Sequence, residues 1–459
     1  MPKRRRNFPE GLRLYAEKLK RFTPNARLIL TYSALTGLAF GVFRLLFNFY
    51  VLSLGGYDER FLGLLTSARS VTSLLMALPA AYLAQRFSQK RILVISGWVS
   101  TLGLLGMVLL PFRLPLIVFS SVMGLAMSVR QIASAPFLMD NTSEDERQYV
   151  FSFNFGLLTL AQFVGFQVGG LMPTWLGGLV GVGPTDTLAY RLTLGSMMLV
   201  SALAIGPLML IRTGTPPTDR EIASPWQQLR EHGRTLARLL TPQVIIGLGA
   251  GMMQPFMNLY FRNVLGRSDA AIGTLFGFGA FAMAIAQFIA PPMADRLGKI
   301  NTVVLTQGIS VFFLLTLGSM AWLVPAGRIG VMAGFFIAAV AYLFRLALMN
   351  LSGPVYQTFI LEHVEHDVQA LAAGLNLVAF QFGWAASPYL SGWFQVTYGD
   401  FGFVPVFLTT SALYIVAIVV TWVFFGRAGR SPRWQAGEIT ARVAEPEAEI
   451  EEPVTSPGN

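Results

Sequence analysis

Four arginines, Arg44, Arg69, Arg130 and Arg345, stand inside long apolar runs of a 459-residue chain. A guanidinium keeps its charge at any ordinary pH, and holding that charge in an apolar medium is expensive. Each must face a polar cavity or a hydrogen-bonding partner, or extend its stem to a nearby aqueous boundary. No Asp or Glu sits well inside these runs; Asp58, Asp140, Glu144, Asp186, Asp269, Asp295, Glu362, Glu365 and Asp400 all fall at edges or in loops. Positive charge without an embedded carboxylate favours a ligand with an anionic portion, such as an organic acid, a phosphate ester or a zwitterion, and disfavours a purely cationic one.

Neutral polar residues accompany the arginines. Arg44 and Asn48 are four apart and share a helix face, and Gln254 and Asn258 repeat that spacing. Gln131 follows Arg130, and Asn154, Gln162, Asn376 and Gln381 offer further donors and acceptors. The candidate lining of a binding cavity is therefore Arg44, Asn48, Arg69, Arg130, Gln131, Gln254, Asn258, Arg345 and Asn376. Asn48 and Asn258 have a second reading, a structural hydrogen bond between equivalent positions. Phe40, Phe43 and Phe47 lie near Arg44 and suit an amphiphilic ligand, although such residues more often serve lipid contact and helix packing.

Enzyme chemistry finds little support. The three histidines, His232, His363 and His366, lie outside the apolar runs, with no phosphate loop, zinc spacing or nucleophile elbow around them. His363 and His366 could bracket a metal on a helix, but they sit on a short acidic loop beside Glu362, Glu365 and Asp367, and no metal or cofactor is expected. The chain has no cysteine, which removes thiol catalysis, thiolate metal sites and a disulfide framework.

The elements that must position these residues follow from composition. Hydrophobic residues make up 54% of the chain and charged residues only 13%, about half the usual share for a soluble domain, so the protein belongs in a membrane. Apolar runs of about 20 residues or more, divided by short polar turns, give twelve spans: 28–54, 60–82, 91–111, 114–139, 149–176, 187–211, 242–263, 270–292, 301–323, 328–350, 368–393 and 402–425. They are too long and too uniformly apolar for barrel strands, and helices satisfy their own backbone hydrogen bonds in lipid. The expected class is an all-α polytopic membrane protein.

Charge sets the orientation. Residues 1–27 carry nine Lys or Arg and lead into a span too long for a signal-peptide core. With both termini cytoplasmic, 24 basic residues fall inside and six outside, which is the expected bias for a plasma membrane protein and accounts for the net charge of +10 without nucleic-acid binding.

The chain repeats itself. At an offset of 210, Gly37, Gly41, Asn48, Tyr50 and Gly63 meet Gly247, Gly251, Asn258, Tyr260 and Gly273; later, at 218, Pro136, Glu144, Gly156 and Gly165 meet Pro354, Glu362, Gly374 and Gly383. The resulting organisation is a basic segment at 1–27, a six-helix bundle at 28–211, a cytoplasmic linker at 212–241 with an amphipathic helix near 225–240, a second six-helix bundle at 242–425, and a disordered tail at 426–459.

Six plus six helices with a cytoplasmic linker resembles the major facilitator superfamily in its bacterial form, over nearly all of residues 28–425. That family's loop signature between its second and third helices has the form G-x-L-a-D-r-x-G-r-k. Its counterpart here, Ala81 to Arg91, carries Gln85 and Ser88 where the signature has Asp and Gly, whereas the repeat copy Met293 to Lys299 keeps Asp295 and Gly298. Asp295 can cap a helix end and pair with a base, Gly298 permits a tight reversal, and Arg296 and Lys299 reach inner headgroups. The resemblance implies that Gln85, Arg86, Asp295, Arg296 and Gly298 belong to a conformational latch, weakened by Gln85.

A glycine pattern of antiporter members is partly matched by Gly156, Gly165, Gly169 and Gly170, and more fully by Gly374, Gly383, Pro388 and Gly392. Plain close packing of helices needs the same residues. Arg130-Gln131 is similar to the family's arginine-containing signature on helix four.

The resemblance implies a fold of two pseudo-symmetric six-helix bundles and a secondary transporter, monomeric, that moves a small molecule through the lipid bilayer by alternating access, with a lean toward export. For proton coupling, Asp140, Glu144, Glu362 and Glu365 are the available carboxylates; loop pairing is their simpler role. The alternative is a non-transporting receptor or scaffold that retains the fold.

Overall fold

The computed structural model describes residues 22–142, 144–211, 225–364 and 368–426. Twelve helices run α1 Pro24–Ser53, α2 Glu59–Arg86, α3 Gln89–Leu109, α4 Arg113–Asp140, α5 Glu144–Val180, α6 Thr187–Leu210, α7 Pro225–Met253, α8 Asp269–Leu297, α9 Lys299–Leu323, α10 Val331–Glu362, α11 Gln369–Tyr398 and α12 Phe403–Phe425. Local chemistry sets their starts. Thr23 caps α1 through Ala26 N–H at 3.3 Å with Pro24 in the first turn, Asp58 caps α2 through Phe61 N–H at 2.8 Å, and Ser268, 210 residues on from Asp58, caps α8 through Ala271 N–H at 3.4 Å.

Alternating direction places the α1 start and α12 end on one face, the terminal face, and the α1–α2 and α7–α8 connections on the opposite, distal face. Within the first bundle α1 packs on α5 and α6, α2 on α4, and α3 on α4 and α6. The second bundle repeats the scheme, with α7 on α11 and α12, α8 on α10, and α9 on α10 and α12. Between bundles α2 packs on α11 and α5 on α8. The tyrosines of the repeat make matching bonds: Tyr50 Oη donates to the Met107 and Val108 carbonyls at 3.2 Å, and Tyr260 Oη to Leu317 at 2.9 Å, 210 residues beyond Met107.

Ten of these helices are long and apolar enough to cross a membrane on length and composition. The two outside that group, α2 and α11, pack on each other between the bundles and carry polar residues such as Arg69, Ser70, Ser73 and Gln381 into the interior.

Helix α7 departs from the expected arrangement. The amphipathic stretch from residue 225 does not stand apart in a linker but runs through Pro242 into the membrane helix. Leu236 and Leu239 are buried among Ala290, Val303 and Tyr356, and Tyr356 Oη donates to the Leu239 carbonyl at 2.8 Å, so the helix is held by its own bundle. At its other end Pro255 lacks an N–H, and the chain passes through a 3-10 turn at Gln254–Phe256 and a π turn at Tyr260–Val264.

The basic segment through residue 21, residues 212–224 of the linker, the tail from 427, and Glu365 lie outside the described residues, as do the side chains of Gln85, Asp140 and Glu144.

Candidate functional site

Between the bundles lies a cavity of about 340 Å³, within the range that holds a small organic molecule. The first bundle supplies Arg44, Asn48 and Phe40, Phe43 and Phe47 from α1, Arg69, Ser70 and Ser73 from α2, and Arg130 from α4. The second supplies Gln254, Pro255 and Asn258 near the end of α7, Phe276 from α8, and Phe380, Gln381 and Trp384 from α11. All three guanidiniums stand on the first bundle's wall; amides and aromatic rings form the other.

Arg44 lies nine residues before the distal end of α1, and Arg69 and Arg130 ten residues from the ends of their helices, depths of about 14–15 Å. That is too deep for the stems to reach either boundary, so the polar cavity is what solvates them. None of the three makes an ion pair among the described residues. Phe43 and Phe47 stack with centroids 4.8 Å apart, and the Arg69 guanidinium lies 5.9 Å from the Phe43 ring. These phenylalanines therefore line the cavity, against the expectation of lipid contact and packing, because the three-to-four-residue spacing that carries Arg44 inward carries them with it.

Arg345 was expected in this lining and is not there. It is 1% exposed, its Nη2 donates to Tyr414 Oη at 2.9 Å, and its guanidinium lies 5.7 Å from the Tyr414 ring, so α10 turns it into the second bundle. Gln131, one residue past Arg130 and about 100° around the helix, is exposed outside the cavity. Asn376 is absent from the lining as well, its Oδ1 buried without a partner.

Asn48 and Asn258 satisfy both of their readings, lining the cavity while bonding across it. Asn48 Nδ2 donates to Asn258 Oδ1 at 3.0 Å and to the Pro255 carbonyl at 2.6 Å; Asn258 Nδ2 donates to the Leu45 carbonyl at 2.8 Å. Leu45 and Pro255 are themselves 210 apart, so the contact obeys the pseudo-twofold. It roofs the cavity on the distal side.

Above that roof stands a cluster that the sequence reading did not assemble. Tyr190 of α6 donates to Asp269 Oδ2 at 2.9 Å, Arg262 donates to Tyr190 Oη at 2.7 Å and pairs with Asp269, and the Arg262 guanidinium lies 3.3 Å from the centroid of Phe49. Tyr190 and Phe49 belong to one bundle, Arg262 and Asp269 to the other. The aspartate and arginine were visible only as edge residues, and nothing in sequence spacing links them to Tyr190. Gln381 and Trp384 did carry a signal, their three-residue spacing on one helix face.

The distal closure is tight. A Cβ on Gly63 would strike the Pro388 carbonyl, one on Gly273 the Phe166 carbonyl, one on Gly392 the Glu59 carbonyl, and one on Gly170 would come within 2.7 Å of the Asp269 carbonyl. Toward the terminal face, Gly156 and Gly374 have open space where a Cβ would stand. The cavity is thus closed distally and extends toward the terminal face past Tyr32 and Ser201.

Of the conformational candidates, Gly165 packs on Gly41 and the Leu38 carbonyl, Gly169 on Val42, and Gly383 on Gly247, all within a bundle; Pro388 alone lies at an inter-bundle contact. Gly298 takes φ +81° and reverses the chain between α8 and α9. Arg86 donates to Tyr82 Oη with its guanidinium 5.8 Å from that ring. Asp295 and Arg296 are exposed, and Asp295 makes no ion pair among the described residues; Lys299 pairs with Glu362 at the end of α10. No cluster of His, Cys, Asp and Glu fit for a metal occurs among the described residues.

Two linked bundles around a midplane cavity, closed on one side and extending toward the other, define an alternating-access membrane carrier. The Major Facilitator Superfamily profile matches residues 29–354, and the chain belongs to that family. It is a multi-pass secondary transporter and not an enzyme. Multidrug resistance protein MdtG of Proteus mirabilis (strain HI4320) is 23% identical over 406 residues, spanning 85% of this chain and 93% of that protein. Among solved structures, the nucleoside transporter NupG superposes with a TM-score of 0.71 at 11% identity, covering 89% of this chain and all of that one. A bacterial homolog of the human lysosomal transporter Spinster, inward-facing and occupied, gives 0.68 at 14% identity over 89% of this chain and 98% of that one.

Proposed function

We propose that the protein carries a small organic solute with an anionic portion, zwitterionic or amphiphilic compounds included, and does so as an exporter in the cytoplasmic membrane with both termini inside. One observation carries the reading: among the described residues Arg44, Arg69 and Arg130 line the cavity, and no Asp or Glu does. In a low-dielectric cleft that charge attracts an anion and repels a cation. The aromatic groups Phe43, Phe47, Phe276 and Trp384 supply apolar surface for the rest of the solute. Export is supported by the likeness to a protein named for multidrug resistance. With the termini inside, the terminal face is cytoplasmic and the cavity loads from the cell.

The test is counterflow into liposomes with purified protein, screening anionic, zwitterionic and cationic compounds with and without a pH gradient. Anions and zwitterions are expected to be taken up, and Arg44→Ala and Arg130→Ala to abolish uptake while the protein remains folded. Strong uptake of lipophilic cations with none of anions overturns the reading, as does normal transport by both variants.

A further inference from the structure

The cavity holds more positive charge than its own walls cancel. Arg44, Arg69 and Arg130 converge on it without a lining carboxylate among the described residues. The two ion pairs found among the described residues lie elsewhere: Arg262–Asp269 above the asparagine roof, and Lys299–Glu362 at the terminal face. In the second bundle Arg345 likewise has no carboxylate partner among the described residues and bonds to Tyr414 Oη at 2.9 Å.

While the cavity is in contact with the terminal face, water hydrates these groups. To reach the opposite state the bundles must close the terminal side before the Asn48–Asn258 roof parts, and that step strips water from like charges in a low-dielectric space. An empty carrier meets its least favourable electrostatic arrangement there. A carrier holding an anion buries compensated charge instead. Two donors in the lining are in the same situation: Trp384 Nε1 and Tyr32 Oη are buried without partners, and a bound anion would accept from them.

We infer that the protein is an obligate anion exchanger. It returns across the membrane only with a second anion bound, so that one small organic anion, a dicarboxylate or phosphate ester of double negative charge, leaves for each anion that enters. No proton is carried by the cavity lining, since no Asp or Glu lines it among the described residues. The inference rests on the anion-carrier reading above, and a binding measurement separates the two.

Thermal stabilisation of the purified protein by phenyl phosphate, phthalate and inorganic phosphate is measured first. Liposomes are then loaded with a stabilising probe, the membrane potential is clamped with potassium and valinomycin, and efflux is followed with and without the same anion outside. Efflux is expected to rise at least about tenfold when an external anion is present. A pH gradient alone is expected to give no such rise.

Arg69→Gln is expected to slow exchange yet raise the residual one-way efflux, because one fewer charge opposes closure of the empty carrier, and Arg69→Lys to restore the wild-type ratio of the two rates. Folding of both variants is checked by size exclusion. If no anion stabilises or is transported, the anion-carrier reading falls and this inference with it. If anions bind but efflux is equal with and without an external anion, follows the pH gradient, or keeps its ratio in Arg69→Gln, the exchange inference alone is overturned.

Discussion

Asn48 and Asn258 meet at 3.0 Å across the pseudo-twofold, and each also donates to a backbone carbonyl of the other's helix. The geometry exchanges local bonds for long-range ones. In a regular helix Leu259 N–H would bond to the Pro255 carbonyl; here that carbonyl accepts from Asn48, and Leu259 N–H turns to Asn258 Oδ1 at 3.0 Å. The irregular end of α7 is therefore part of the seal between bundles.

Replacing either asparagine by alanine should loosen that seal. Side-chain hydrogen bonds within membranes are worth about 0.6 kcal/mol on average and up to about 1.7. Asn258→Ala is expected to be the more damaging, because Asn258 also accepts a backbone N–H. The absence of native cysteine makes the measurement clean: a single cysteine placed in the cavity wall should react several-fold faster with an impermeant thiol reagent from the distal side in both variants. Unchanged reactivity would show that the pair is not the seal.

The Tyr190–Arg262–Asp269 cluster should act in the same direction. Asp269 is nearly buried and Arg262 only partly so, which discounts the pair relative to a fully buried one. Asp269→Asn is expected to cost about 1–3 kcal/mol of the distally closed state, and Tyr190→Phe about 1. A double-mutant cycle read by distal cysteine labelling should return a coupling energy between them; strict additivity would mean that the cluster does not operate as a unit.

Glycine placement allows a paired comparison. Gly63→Ala brings a methyl against the Pro388 carbonyl, a backbone atom that cannot swing aside, and should push α2 from α11 and favour distal opening. Gly374→Ala meets nothing within 4 Å and should leave thermal stability within about 0.5 kcal/mol of the parent. Equal effects of the two would contradict the distally closed arrangement.

At the terminal face, burial holds the His363 imidazole below the usual histidine range, its Nδ1 donating to the Phe359 carbonyl at 2.7 Å and its ring packed 3.8 Å from that of Phe359. The unfolded chain binds this proton at about pH 6.5, the folded chain only at lower pH. Stability from this group is thus complete above pH 6.5 and falls as acid passes through the window down to the folded value. His363→Gln keeps a donor and should flatten the melting-temperature decline between pH 7 and 5; an unaltered slope would assign that decline to other groups.

The fold was largely legible in the chain. Length and hydropathy marked the helices, and the 210 offset that paired Tyr50 with Tyr260 reappears as matched bonds to Met107 and Leu317. The site was legible by half. Arg44, Arg69 and Arg130 line the cavity while Arg345 turns into its own bundle, because depth in a helix is written in the sequence but rotation about its axis depends on the neighbours it packs against.

The amino-acid sequence by itself determined that charge is scarce and buried, since lipid penalises every stray charge along a span whatever the helix packs on. It also determined the repeat, and with it two like bundles. Only the tertiary structure decided which cations line the cavity and which end of the molecule is shut. It decided, too, that Tyr190, Arg262 and Asp269 meet. Those contacts join residues 72 and 79 positions apart through the packing of two bundles, and no local pattern encodes a distance that the relative placement of whole helices sets.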